Sequence, residues 1–168
     1  MKFKRLIKII FPVFMIFTML LLSLPMSQVN AKMKTTKHSK TVKAATYITS
    51  FKKVHGKWVG KFDYIQWYFG KAADREFFKD CKCSKDMDGA PDGYWIRNVN
   101  PKIRTFSISK NAQFVLQTRN SYQVKWNEKV TRSQFIRFLK QRNKDHQVPF
   151  HIEIRKGVVT KITEQYIP

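Results

Sequence analysis

From Thr46 onward the chain is cut into short runs dense in β-branched and aromatic residues, each closed by Gly, Pro or Asn, and this rhythm leaves few architectures open. Tyr47 to Phe51 and Lys57 to Phe62 flank His55-Gly56, which reads as a hairpin turn. Tyr94 to Asn98 is a strand that stops near Asn100-Pro101. Arg104 to Ser109 alternates, with Phe106 and Ile108 on one face, and Lys110-Asn111 reads as a turn into a further strand, Phe114 to Thr118. At the end, a three-residue loop Arg155-Lys156-Gly157 places Phe150, Ile152 and Ile154 on the side of Val158, Thr160 and Ile162. His151, Glu153 and Lys161 then occupy the opposite face. Only two segments have helical character. Lys71 to Asp80 sets Ala73 and Phe77 four apart, and Thr131-Arg132-Ser133-Gln134 is a capping box before the apolar stripe Phe135, Ile136, Phe138 and Leu139. The sum is an α+β domain: six or seven short strands in a mostly antiparallel sheet that curls into a small β-barrel, with two short helices.

The segment before this domain has a different logic. Lys2, Lys4, Arg5 and Lys8 precede an uncharged apolar stretch from Ile9 to Leu24, followed by Pro25 and the small-residue site Val29-Asn30-Ala31. Basic, apolar and cleavable parts in that order form a secretory signal peptide, residues 1–31, so the exported chain is expected to start at Lys32 with no stable membrane span. The competing reading is an uncleaved anchor, which needs about twenty apolar residues. Residues 32–45 carry lysines and no aromatic ring, and are expected to be a flexible cationic tether ahead of a single domain, 46–168.

Four of the 33 Lys and Arg lie in the leader, so the exported chain sets 29 of them against 11 Asp and Glu, a net charge of +18. Such an excess draws the chain to polyanions. Outside a bacterial cell these are wall teichoic acids, anionic lipid headgroups and, non-specifically, nucleic acid. The expected location is therefore secreted, in the medium or against the cell wall. Trp58, Tyr64, Trp67, Tyr68, Tyr94, Trp95 and Trp126 interleave with Lys57, Lys61, Lys71, Arg97 and Arg104, and those five cations are the candidate binding residues. The rings themselves are expected mostly inside, because a small curled sheet needs large side chains to fill it.

Candidate chemistry is sparse. His151 and Glu153 stand i and i+2 on a strand, with Arg155 continuing the row, so a ribonuclease would use this trio to move two protons and steady a phosphorane. Alternating polar residues on an outer strand face explain the same pattern without catalysis, and no catalytic residue is assigned. Cys81 and Cys83 are the only cysteines, and an i, i+2 bridge would close a strained, easily reduced ring. Asp86-Met87-Asp88-Gly89 opens like a calcium loop, yet its twelfth position is Arg97 instead of an acid, and no metal or cofactor is expected. The leading function is a non-enzymatic, basic domain that associates with anionic envelope polymers. A small basic ribonuclease and a secreted protein-binding or inhibitor module are the alternatives.

Three blocks carry a resemblance. Asp63 to Ala73, Gly93 to Phe106 and Gly157 to Pro168, in that order, look like the blocks of a small domain found in uncharacterised secreted and lipid-anchored proteins of Gram-positive bacteria. The resemblance covers residues 46–168 and implies no activity, cofactor or catalytic residue. The Cys81-x-Cys83 loop and the high basicity depart from it.

Overall fold

A computed structural model describes residues 39–81, 87–100, 102–119 and 123–167. The leader 1–31, residues 32–38 of the expected tether, Cys83 and Asp86 lie outside these. The elements are β1 (Val42–Val54), β2 (Lys57–Phe69), α1 (Lys71–Asp80), β3 (Tyr94–Arg97), β4 (Ile103–Leu116), β5 (Glu128–Val130), α2 (Arg132–Arg142), β6 (Pro149–Arg155) and β7 (Val158–Glu164).

Five strands close on themselves in the order β1-β2-β4-β7-β6, and β6 returns to β1. All these pairs are antiparallel except β4 with β7, which is parallel. A closed five-stranded Greek key, with its third strand parallel to its fifth and a helix between its third and fourth, has the strand order of oligonucleotide- and oligosaccharide-binding barrels. That order alone assigns no ligand. Two accessory strands use what closure leaves over: β3 pairs Gln66–Phe69 of β2, beyond the Val59–Asp63 stretch held by β4, and β5 pairs Phe114–Leu116 of β4.

Apolar alternation fills the barrel from every wall. Ile48, Phe62, Phe150, Ile152, Val159 and Ile162 point inward and are 0–1 % exposed. α2 stops one end, driving Phe135 and Phe138 into the core, where Phe135 stacks on Phe114 at 4.7 Å and meets Phe150 edge-on at 5.8 Å. Its capping box forms as expected: the Thr131 hydroxyl accepts from Gln134 N–H, and the Gln134 side chain accepts from Thr131 N–H. Ile136 and Leu139 are only half-buried, because the flank of the helix faces β1 at the surface.

Irregularities keep the apolar residues facing in. Thr49 bulges out of β1 between the pairs Ile48↔Phe62 and Ser50↔Lys61, which returns Phe51 to the core. The Ile48 carbonyl freed there accepts from buried Asn143 Nδ2 at 3.0 Å, just past α2. At the end of β7, the Glu164 carboxylate is 4 % exposed and accepts from the backbone N–H of Gln117 and Thr118 at 2.6 and 2.9 Å and from the Thr118 hydroxyl. Those donors satisfy a charge that would be costly to bury alone.

Four expectations need correction. The barrel begins at Val42 instead of Thr46, since Val42–Ala45, the last residues of the expected tether, pair with Ile154–His151 of β6. Lys110-Asn111 is no turn: β4 runs unbroken through it, and the β4–β7 register jumps from Ile108↔Val159 to Gln113↔Lys161 around a bulge. Arg132 on α2 anchors the bulge, donating to the carbonyls of Ser109 and Lys110 at 3.0 and 2.8 Å. The β6–β7 turn is the two residues Lys156-Gly157, both at positive φ, closed by the pair Arg155↔Val158. Its bulge moves into β7, so Val159 pairs Ile154 inside while Val158 and Thr160 do not. The short strand β5 was not anticipated from sequence.

Candidate functional site: a basic outer face

The sequence-picked charged groups, Arg104 apart, fall on three separate surfaces. The first belongs to the insertion between β2 and β4. Beyond the barrel, β2 and β3 form a ribbon whose one side carries Tyr68, Trp95 and Arg97 against α1, where Ala73 and Phe77 pack. Arg97 is pinned between carboxylates, 2.7 Å from Glu76 and 2.8 Å from Asp80, and Trp95 Nε1 donates to Asp80 as well. Hydrogen bonds from Lys79 and then Arg97 hold Glu76 below the usual carboxylate range, and Arg97 followed by Trp95 does the same for Asp80. Their pull raises Arg97 in turn. Candidate Arg97 is thus a structural clamp, and Lys71 stands exposed at the start of α1.

The second surface is the outside of the β1–β6–β7 wall. His151 and Glu153 do share it, as the register requires: His151 pairs Ala45 and Thr163, and Glu153 pairs Lys43 and Lys161. His151 Nε2 lies 2.8 Å from the Gln165 side-chain oxygen, and Glu153 faces the Lys43 ammonium at 3.9 Å. Neither residue lines either of two surface cavities, one of about 240 Å³ near Arg142 and Glu164, the other of about 260 Å³ between β1 and α2. A phosphodiester-cleaving pair needs a concave seat for its substrate, and neither of these two cavities lies between them.

The third surface is the outside of β1, β2 and β4 next to the two turns. Odd-numbered residues of β2 point outward here, so Lys57 and Lys61 share this side while Trp58, Gly60 and Phe62 face the core. The pairings carry one row across the sheet, Lys52 to Val59 to Ser107 to Val158 to Arg155, and the next row is Ser50, Lys61 and Thr105. Lys156 sits in the turn beside Arg155. Lys52, Lys57, Lys61, Arg155 and Lys156 are exposed, and among the described residues none of them joins an ion pair. Candidate Arg104 is not on this face. It pairs with Phe62, looks toward the barrel mouth and stacks over the Tyr64 ring at 4.1 Å.

Sequence reading therefore found Lys57 and Lys61 but missed Lys52 and Lys156, and placed Arg155 only in a catalytic context. The His55-Gly56 turn fixes Lys52 opposite Val59 and was signal enough for the first. Arg155 and Lys156 reach the same face only through the parallel pairing of β4 with β7, which joins distant parts of the chain. The rings were expected mostly inside; six of the seven are half-buried, none is fully buried, and Trp126 is 64 % exposed.

Cys81 is disulfide-bonded and packs at the edge of the small cluster under α1. Asp80, near the calcium-like stretch, is committed to Arg97 and Trp95. Among the described residues no three His, Cys, Asp or Glu side chains gather as metal ligands, and no helix is long and apolar enough to cross a membrane. No protein-family model, curated protein or solved structure matches the chain.

Proposed function

We propose that this is an exported, non-enzymatic barrel domain that associates with anionic polymers of the bacterial envelope, consistent with its resemblance to small secreted and lipid-anchored domains. The observation that carries the reading is the segregation of charge. Residues 71–97, the insertion with α1 and β3, hold six Lys and Arg against six Asp and Glu and are neutral as a unit. The whole excess of +18 in the exported chain therefore belongs to the barrel and the segment before it. A polyanion meets that charge on the barrel, where phosphate contacts release counterions and supply affinity without sequence readout.

Binding of the exported chain to purified wall teichoic acid, measured at about 50 and 200 mM salt, tests this. Affinity should fall by at least roughly tenfold over that interval, as expected for a few phosphate contacts. Salt-insensitive binding to a neutral envelope component, or cleavage of RNA by the pure protein, would replace the proposal.

A further inference from the structure

We propose that the face bearing Lys52, Lys57, Lys61, Arg155 and Lys156 is a docking track for a polyol chain linked by phosphodiesters, and that it selects such a chain over nucleic acid. The proposal rests on the polyanion reading and adds the surface and the class of polymer.

The cations rim the track. Lys57 and Lys61 stand four residues apart on β2, about 13 Å, and Lys52 lies on the neighbouring strand opposite Val59 between them. Arg155 is four strand steps from Lys52 along the same row, roughly 19 Å over the curved sheet at about 4.8 Å per step. Five positive groups with no carboxylate partner among the described residues thus border one strip.

The floor is small and hydroxyl-bearing. Ser50, Thr105 and Ser107 stand between the cations, with Val59 and Val158 filling the gaps. Hydroxyls both donate and accept, which suits a ligand whose repeat offers free hydroxyls between its phosphates. Short side chains also let a flexible backbone lie close to the sheet.

The strip has no ring, and this decides between polymers. Proteins that hold single-stranded nucleic acid without sequence preference stack its bases on aromatic side chains, and much of their affinity comes from that stacking. Rings stand only at its ends: exposed His55 in the β1–β2 turn at one, and half-buried Tyr47, opposite Asp63, at the other. Trp58 and Phe106 on the same strands point into the core. Bases would lie unstacked on Ser, Thr and Val, whereas a base-free polyol phosphate loses nothing.

The test compares poly(glycerol phosphate) with poly(dT) at matched phosphate concentration, using the exported chain. Wild type should bind the polyol polymer more tightly. The triple variant Lys52→Ser, Lys61→Ser, Arg155→Ser should lose about tenfold or more, and its log-log salt slope should fall by roughly 2 to 3. A control removing equal charge from α2 and the turn after it, Arg137→Ser, Lys140→Ser, Lys144→Ser, should lose less than about threefold. Equal losses in both triples, or tighter binding of poly(dT), overturn the proposal and leave the polyanion reading standing. Failure of wild type to bind either polymer removes both. Amide shift mapping on unsubstituted protein decides the matter if a triple variant does not fold: changes along Lys52–Lys61 and Thr105–Ser107 support the track, and changes centred on α1 or on His151 overturn it.

Discussion

Gly60 shows how tightly a single position is held. A Cβ built there would lie 2.5 Å from the Phe62 ring and 3.3 Å from Ile108 Cδ1, inside the barrel. Gly60→Ala must displace the ring, and we expect a loss of about 1–3 kcal/mol in urea unfolding. Arg97 gives a residue-scale prediction with a pH sign. Glu76 and Asp80 are held below their ordinary values in the fold, so their contribution is complete above the unfolded carboxylate range, about pH 4, and is lost as pH falls through the lowered values. Arg97→Met should therefore lower the melting temperature at pH 7 and leave a shallower decline toward pH 2 than wild type shows. Parallel melting curves over that range check it, and equal slopes would mean that the clamp contributes nothing. Arg97 was legible in the sequence as a candidate binding cation, and Glu76 and Asp80 only as members of the Lys71–Asp80 helix. Their pairing was not, because it depends on β3 folding back beside β2.

At the scale of elements, strands and helices were legible wherever alternation or a cap fixed them. The hairpin at His55-Gly56, the helix from Lys71 to Asp80 and the Thr131–Gln134 capping box all stand where local chemistry puts them. Misreadings cluster where a strand changes partner. Lys110-Asn111 has turn-like composition, yet the chain continues because Arg132 from another element holds the bulge carbonyls. The last hairpin was read with its bulge in the turn, and the fold carries it at Thr160, whose hydroxyl donates to the Glu153 carbonyl at 3.2 Å. The faces of β6 came out as expected, which gives a paired prediction. Ile154→Asp buries a carboxylate at a site 6 % exposed and should cost several kcal/mol, enough to unfold the domain. His151→Ala lies on the exposed outer side and should stay within about 0.5 kcal/mol of wild type. Circular dichroism of the two variants separates the outcomes, and a folded Ile154→Asp protein would contradict the assigned register.

For the whole molecule, composition and strand rhythm were enough for a small barrel, whereas its closure was not written locally. Charge excess was legible as a number, and its absence from the 71–97 insertion was legible as a count, but the strip that collects Lys52, Lys61 and Arg155 needed three strand pairings. The revised start of β1 sharpens a truncation experiment. Removing 32–41 takes away four lysines and should leave the melting temperature nearly unchanged while weakening polyanion binding. Removing 32–45 deletes the first pairings of β1 with β6 and should lower it markedly, and equal stability of the two truncations would contradict that pairing. The parallel contact of β4 with β7 carries one more consequence, in time instead of space. Among the described residues only β7 bridges β6 to β4, so the barrel strands before it wait with two unsatisfied edges until Val158–Glu164 is available. A chain being synthesised therefore keeps its barrel open until β7 has emerged, and for a protein exported as proposed that delay keeps the preceding strands threadable until then.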